Sequence, residues 1–120
     1  MGQKFFVTQE EDLTTPDGTV REYLRAIQTR DHRRLGFCLH NCDEDICTQL
    51  VSRLAFFKDI EFDNVQTTTL SQTDHCAVVS CTYDQHLERQ LDGERFDNRH
   101  EKTFNLTNRK GKWLIEVELQ

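Results

Sequence analysis

Three side chains able to transfer protons or donate hydrogen bonds lie in two neighbouring segments of the sequence: Tyr83, His100 and Lys102. A histidine with an ordinary pKa of about 6.5 can act as a general base at neutral pH. A tyrosine hydroxyl can donate a hydrogen bond to an oxygen that gains negative charge. The same groups can also hold the polar atoms of a ligand without catalysing anything.

Two turns decide whether these side chains point the same way. Asp92-Gly93 predicts a two-residue type I′ turn, because both residues tolerate positive φ angles. Residues Asn108 to Gly111 predict a four-residue loop that closes the next hairpin. The expected cross-strand pairs are Val79–Leu106, Cys81–Phe104, Tyr83–Lys102, Leu106–Trp113, Phe104–Ile115 and Lys102–Val117.

These two turns predict one apolar and one polar face of the sheet. Because both turns lead to the same apolar face, the two registers support each other. The apolar face would hold Val79, Cys81, Tyr83, Phe104, Leu106, Trp113, Ile115, Val117 and Leu119. The opposite face would hold Ser80, Thr82, Asp84, His86, Arg99, Glu101, Thr103, Asn105 and Glu116.

Towards the Asp92-Gly93 turn, the inward face becomes polar and would carry Gln85, Asn98, His100 and Lys102. Buried polar side chains need water, a partner or a ligand. We interpret this region as the rim of a pocket with an apolar floor. The alternative is a sheet that bends away, so that these side chains reach solvent. The candidate ligand-binding residues are Tyr23, Tyr83, Gln85, His100, Lys102 and Trp113.

Three helices are expected before the sheet. Thr15 as N-cap and Pro16 as first helical residue predict the start of the first. Asp31 predicts the cap of a second helix, whose buried stripe would be Leu35, Cys38 and Leu39. The third would place Ile46, Leu50 and Leu54 on one face.

From Ile60 onward the chain is rich in Thr, Val, Phe and Cys, which is typical of strands. We predict strands at about 59–70, 75–89, 95–107 and 112–119. The expected fold class is α+β, with three N-terminal helices packed on a curved four-stranded antiparallel sheet. Residues 1–120 are expected to form one domain, in which 1–12 would be a packing arm.

Charge and hydropathy exclude several classes of partner. The chain has 21 acidic and 15 basic residues, a net charge of -6. Such a chain is poorly suited to neutralising phosphates, so we expect no nucleic-acid partner. No run of 18 apolar residues is present, so no membrane span is expected.

The five cysteines are Cys38, Cys42, Cys47, Cys76 and Cys81. An odd number without a signal peptide predicts reduced thiols and a cytoplasmic location, with a removed secretory or lipoprotein leader as the alternative. No CxxC pair occurs, and the segment around Cys38 reads as an amphipathic helix. We therefore expect neither a metal nor a cofactor.

Three segments together resemble the nuclear transport factor 2-like superfamily, also described as a cystatin-like roll. They are Thr19–Asp31, Asp74–Val79 and Gly111–Ile115, and the likeness spans residues 14–119 in order and spacing. It implies a cone-shaped roll in which a curved sheet wraps around helices and leaves a cavity. The third helix and the spacing of Phe57, Asp59 and Phe62 look closest to a branch of small bacterial domains of unknown function.

The superfamily includes isomerases, dehydratases and epoxide hydrolases as well as binding and scaffold domains. Tyr23 falls where the steroid isomerases keep a tyrosine that stabilises an oxyanion. The position of their catalytic base reads as a third helix here, and their second oxyanion donor falls near Lys102. The resemblance therefore disfavours steroid isomerisation.

Three hypotheses follow. The first is a non-catalytic domain that binds a small apolar or amphipathic ligand, or a protein, through the cavity. The alternative is an isomerase or dehydratase with His100 as base and Tyr23 or Tyr83 as donor. It requires a closed, mostly apolar cavity with His100 within hydrogen-bond reach of an acid or a tyrosine. The third is a homodimer through the polar face of the sheet, with a wet, salt-sensitive interface. A pure scaffold would fill the cavity with Phe56, Phe57, Phe62 and Trp113.

Overall fold

The computed structural model describes residues 12–40 and 44–116, without the side chains of residues 44–47 and 51. The predicted packing arm, apart from Asp12, and the last residues of the final predicted strand lie outside these ranges. The described residues form three helices, α1 (Pro16–Thr29), α2 (His32–Phe37) and α3 (Glu44–Leu54). Their five strands are β1 (Leu39–His40), β2 (Phe57–Gln72), β3 (Cys76–Arg89), β4 (Arg95–Arg109) and β5 (Lys112–Glu116).

Helix α1 begins where the sequence predicted. The Thr15 side chain accepts a hydrogen bond from the Gly18 N–H at 3.1 Å, and Pro16 occupies the first turn, where no N–H is needed. The helix ends at Arg30, which adopts a left-handed conformation with a φ of 58°. Asp31 then caps α2 by accepting from the Arg34 N–H at 3.2 Å, which confirms the predicted cap.

A buried carboxylate joins α1 to α2. Glu22 is fully buried and accepts hydrogen bonds from Arg25 Nη2 at 3.0 Å and from Arg34 Nε at 2.6 Å. Arg25 also contacts Asp31 at 3.3 Å. Removing one partner of such a buried group costs about 3–5 kcal/mol, since an uncompensated charge is left behind. This network therefore stabilises the corner between the two helices.

The sheet has five strands rather than the predicted four, in the order β1-β5-β4-β3-β2. The additional strand, β1, is parallel to β5, with Leu39 beside Ile115. The Ile115 N–H donates to the Cys38 carbonyl at 2.7 Å. Two residues are too few to show the alternation of apolar and polar side chains that is typical of a strand. The sequence therefore predicts Leu39 in the buried stripe of the second helix. That helix ends at Phe37, and Leu39 is buried in the sheet instead.

The predicted registers are wrong by two residues in both hairpins. Cys81 lies opposite Lys102, and Tyr83 lies opposite His100. Arg89 N–H donates to the Glu94 carbonyl, so the loop between β3 and β4 holds four residues rather than two. Between β4 and β5, Arg109 pairs with Lys112 around a two-residue turn.

The β3–β4 loop is longer than predicted and the β4–β5 turn is shorter. The local backbone geometry explains both differences. Lys110 and Gly111 both have positive φ angles, 56° and 85°, as a two-residue type I′ turn requires. In the longer loop only Gly93 has a positive φ, and its N–H donates to the Arg89 carbonyl at 2.9 Å. Asp92 accepts from the Glu94 N–H instead of entering the left-handed region.

Both loops still contain an even number of residues, so the predicted faces are preserved. A shift by two residues leaves every side chain on its original side of the sheet. The buried residues of the predicted apolar face are Val79, Cys81, Tyr83, Phe104, Leu106, Trp113 and Ile115. Val117 and Leu119 lie outside the described residues.

A bulge in β2 keeps side chains of this third strand on the same face of the sheet along its length. Asp63 pairs with Asp84 and Gln66 pairs with Thr82, so one extra residue is inserted on β2 opposite Tyr83. Asn64 lies within the bulge and has a φ of 51°. Bulges bend a strand and increase its twist, and two further register shifts occur in β2. These irregularities account for the curvature of the sheet around the helices.

Candidate functional site

A cavity of about 190 Å³, here called the inner cavity, lies between the helices and the inward face of β2, β3 and β4. Its walls are mostly aliphatic and aromatic, and its polar side chains are two tyrosines, a glutamine and a lysine. Helices α1 and α3 form the upper wall, and the three strands form the floor. The lining residues are Tyr23, Leu24, Ile27, Leu54, Phe57, Ile60, Phe62, Tyr83, Gln85, Leu87 and Lys102.

The two tyrosines approach the cavity from opposite walls. Tyr83 on β3 meets the Phe62 ring edge-on at 5.3 Å, and Tyr23 on α1 meets Phe104 edge-on at 5.7 Å. Burial raises the pKa of Tyr83 to about 12, with smaller contributions from Cys81 and Tyr23. Burial likewise raises the pKa of Tyr23. Both hydroxyls therefore keep their protons at neutral pH and can donate hydrogen bonds.

His100 is on the predicted face but does not line the inner cavity. Its ring stacks on Tyr83, with centroids 5.6 Å apart and planes inclined by 20°. Its Nε2 atom is buried and has no hydrogen-bond partner within the described part of the chain. His100 is the cross-strand neighbour of Tyr83, lies outside the cavity lining and has no orienting acid among the described residues. Such an imidazole is poorly placed to act as a general base.

Lys102 and Tyr23 also line a second cavity of about 330 Å³ beside β1 and β5. Glu116 lies in this cavity and is paired with His40, whose Nδ1 is 3.0 Å from the carboxylate. Lys102 is an exposed residue that lines both cavities, and no ion pair to it is found among the described residues. The other lining residues are Leu39, Leu50, Thr103, Phe104, Asn105 and Ile115.

An open apolar groove of about 680 Å³, here called the tip groove, lies at the β3–β4 loop. Two of its side chains are highly exposed, Phe56 at 71% and Leu91 at 88%. The sequence does not predict this groove, and it places Phe56 among the residues that would fill the cavity of a pure scaffold. In the structure Phe56 is exposed instead. The signal was the pair Phe56-Phe57 at the end of α3, where both rings cannot face the core. The lining is Ala55, Phe56, Phe57, Leu87, Arg89, Gln90, Leu91, Phe96 and Asn98.

The structure brings together four of the six candidate residues. Tyr23, Tyr83, Gln85 and Lys102 share the inner cavity. Trp113 is buried near the β4–β5 turn, where its backbone N–H donates to the Leu13 carbonyl at 2.8 Å. It lines neither of the two cavities nor the tip groove.

The part of the chain that the structure describes contains neither a cluster of metal-ligating side chains nor a helix suited to spanning a membrane. Within residues 12–40 and 44–116, no three His, Cys, Asp or Glu side chains are placed to hold a metal ion. Cys42 and the side chain of Cys47 lie outside that description. No described helix combines the length and the apolar character needed to cross a bilayer.

Helices packed on one face of a curved sheet, with cavities between the layers, define an α+β roll. The sequence matches no family model, and no curated protein matches it. Solved structures do match. A proposed dehydratase of the nuclear transport factor 2-like family from Streptomyces avermitilis has a TM-score of 0.62 at 13% identity, covering 85% of this chain and 93% of the other.

Two further structures show the same architecture. A proposed scytalone dehydratase from Novosphingobium aromaticivorans has a TM-score of 0.65 at 11% identity, covering 83% of this chain and 78% of that one. A proposed calcium/calmodulin-dependent protein kinase II association domain from Xanthomonas campestris has a TM-score of 0.56 at 19% identity, covering 91% and 92%. The chain therefore has the nuclear transport factor 2-like fold, as the resemblance in its sequence predicted.

Proposed function

We propose that this protein binds a small amphipathic ligand in the inner cavity without transforming it. The observation that carries the proposal is the lining of that cavity. Hydrogen-bond donors from α1, β3 and β4 converge on a space that is otherwise apolar. A few placed polar groups within apolar walls are the usual construction of a small-molecule site.

The volume limits the size of the ligand's apolar part. An apolar cavity of about 150 Å³ is known to hold one benzene molecule. The inner cavity is slightly larger, at about 190 Å³. A single ring or a short aliphatic chain with one polar substituent fits this space.

The polar groups favour a ligand that accepts hydrogen bonds. Tyr23 and Tyr83 keep their hydroxyl protons, and Lys102 adds a cationic side chain from β4 to the lining of the same cavity. Gln85 can donate or accept. A carboxylate or another anionic oxygen group would complement the lysine and both tyrosines.

Catalysis is the second candidate, because two of the matched structures are described as dehydratases. A dehydratase needs a group that removes a proton, and His100 was the candidate for that role. His100 stacks on Tyr83 outside the cavity lining, and its Nε2 has no hydrogen-bond partner among the described residues. Both observations argue against a role for His100 as the base. Binding is the function that the geometry supports better.

Benzoate is a suitable probe, with toluene as the matched compound that lacks an acceptor. We expect benzoate to bind more tightly than toluene in calorimetric titration. Lys102→Met and Tyr83→Phe should each weaken benzoate binding by about tenfold, since hydrogen bonds to charged groups contribute about 1.5–3 kcal/mol. Neither substitution should change the affinity for toluene by a comparable factor.

Lys112→Met is the matched control, because Lys112 is an exposed lysine on β5 outside the lining of the inner cavity. It should bind benzoate like the wild type. Equal affinities of the wild type and Lys102→Met for benzoate would contradict the proposal, as would the absence of any binding.

A further inference from the structure

The inner cavity and the tip groove are adjoining spaces. Phe57 at the start of β2 and Leu87 on β3 line both of them. Both side chains are only partly buried, so each presents one surface to the inner cavity and another to the groove. The pair is the boundary between an enclosed apolar space and an open one.

We infer that the ligand is a long-chain acyl carboxylate whose tail extends past Phe57 and Leu87 into the tip groove. The inference rests on the proposed function, since it places the polar head in the inner cavity. The carboxylate contacts Lys102 and the tyrosine hydroxyls. The hydrocarbon chain follows the inward face of β3 and β4 towards their connecting loop.

The dimensions of the two spaces match an elongated ligand. Lys102 and Phe96 lie six residues apart on β4 and mark the two ends of the path. At about 3.3 Å per residue their separation is about 20 Å, a distance that an extended long-chain acyl group spans. The groove, at about 680 Å³, offers much more apolar space than the inner cavity.

The charges decide the direction of the ligand. Arg89 is the cation in the groove lining, but its guanidinium already contacts Asp92 at 3.3 Å and Glu94 at 3.5 Å. It also lies over the Phe96 ring at 5.0 Å. The Arg89 end is therefore electrically compensated, whereas no described residue forms an ion pair with Lys102. The anionic head belongs at Lys102, and the tail belongs at the tip.

The exposed side chains at the tip fit the same assignment. Phe56 and Leu91 leave large apolar surfaces in water, and a hydrocarbon chain lying in the groove would cover them. Continuity with the inner cavity distinguishes a ligand's tail from a separate protein partner. A tail that leaves the inner cavity meets these two side chains directly.

The test is a series of saturated carboxylates from hexanoate to hexadecanoate, each titrated below its micelle concentration. In the wild type, affinity should rise by about two- to fourfold for each methylene that enters the groove. Phe56→Ser and Leu91→Ser should flatten this dependence, so that the loss of affinity grows with chain length. Both side chains are exposed, so the fold should tolerate either change.

Leu70→Ser is the control, because Leu70 is 61% exposed on β2 but does not line the groove. It should keep the dependence of the wild type. Contacts measured by NMR should place the terminal methyl of dodecanoate next to Leu91. Contacts of that methyl with Leu50 or Ile115 in the second cavity would overturn the orientation.

The outcomes separate this inference from the proposed function. If hexanoate and benzoate bind through Lys102 but affinity does not rise with chain length, the extended tail is wrong and the inner cavity stands. The same holds if the two groove variants bind hexadecanoate like the wild type. If no carboxylate binds and benzoate also fails, both proposals are wrong.

Discussion

At the scale of single residues, the outward face of the sheet contains a histidine held between two carboxylates. His86 Nδ1 lies 2.6 Å from Asp97, and Nε2 lies 3.1 Å from Asp63. The hydrogen bond with Asp97 is the largest cause of the raised pKa of His86. The negative charges of Asp63, Asp97 and Asp84 raise this pKa further, whereas burial lowers it. Glu61 on β2 lies directly across from His86. Arg99 Nη1 forms an ion pair with Asp84 Oδ1 at 2.9 Å.

The raised pKa of His86 predicts a dependence of stability on pH. The folded protein binds this proton more tightly than the unfolded chain, whose histidine has a pKa of about 6.5. The stabilisation is therefore complete below about pH 6.5 and is lost as pH rises through the folded pKa. The difference in free energy of unfolding between the wild type and His86→Gln should shrink on raising the pH, as measured by urea denaturation.

His75→Gln, which changes an exposed histidine in the connection between β2 and β3, should show no comparable trend. A difference between the wild type and His86→Gln that grows with pH would show that the neutral imidazole makes the stabilising contacts. An NMR titration of the His86 ring gives the folded pKa independently.

At the scale of elements, β2 depends on the bulge at Asn64. Ile60 and Phe62 face the inner cavity before the bulge, and Thr67 lies beside Cys81 after it. Without the extra residue, one of these two stretches would point outward. Asn64 tolerates the left-handed conformation, and its Nδ2 donates to Asp84 at 2.7 Å.

Substitutions at Asn64 should separate its backbone role from its hydrogen bond. Both Asn64→Gly and Asn64→Ala lose the bond to Asp84, but only alanine opposes the positive φ. Asn64→Ala should therefore be less stable than Asn64→Gly by about 1 kcal/mol in urea denaturation. Equal stabilities would show that the bulge relaxes without cost when its side chain is removed.

At the scale of the whole molecule, the two faces of the sheet differ in chemistry. The inward face holds the core and the inner cavity, whereas the outward face carries the His86 cluster and the pair Asp84–Arg99. The third hypothesis from the sequence is a homodimer in which a second copy packs on the outward face. Such an interface would consist largely of charged groups, which salt screens.

Light scattering coupled to size exclusion tests this predicted homodimer. We expect a dimer at low ionic strength that dissociates as salt is added, and Arg99→Glu should weaken it because like charges then meet across the interface. A dimer that persists in high salt would require an apolar interface elsewhere. A monomer at low salt and high protein concentration would rule out the homodimer.

Features with a local cause were predictable from the sequence. Thr15 and Asp31 cap the first two helices with their side chains, and the ring of Pro16 favours the first helical position. Both helix starts could therefore be predicted from residue type alone. The alternation of apolar residues assigned Tyr83, Gln85 and Lys102 to one face, because side-chain direction repeats every two residues. Four of the six candidate residues line the inner cavity.

The register, strand β1, the bulge at Asn64 and the tip groove were decided only by the tertiary structure. A strand shifted by two residues keeps the same faces, so the hydrophobic pattern cannot distinguish Tyr83 opposite Lys102 from Tyr83 opposite His100. The turn geometry and the packing of distant segments make that choice. Along β3, β4 and β5 the sequence determined which face each side chain occupies, and the assembled sheet determined which side chains meet.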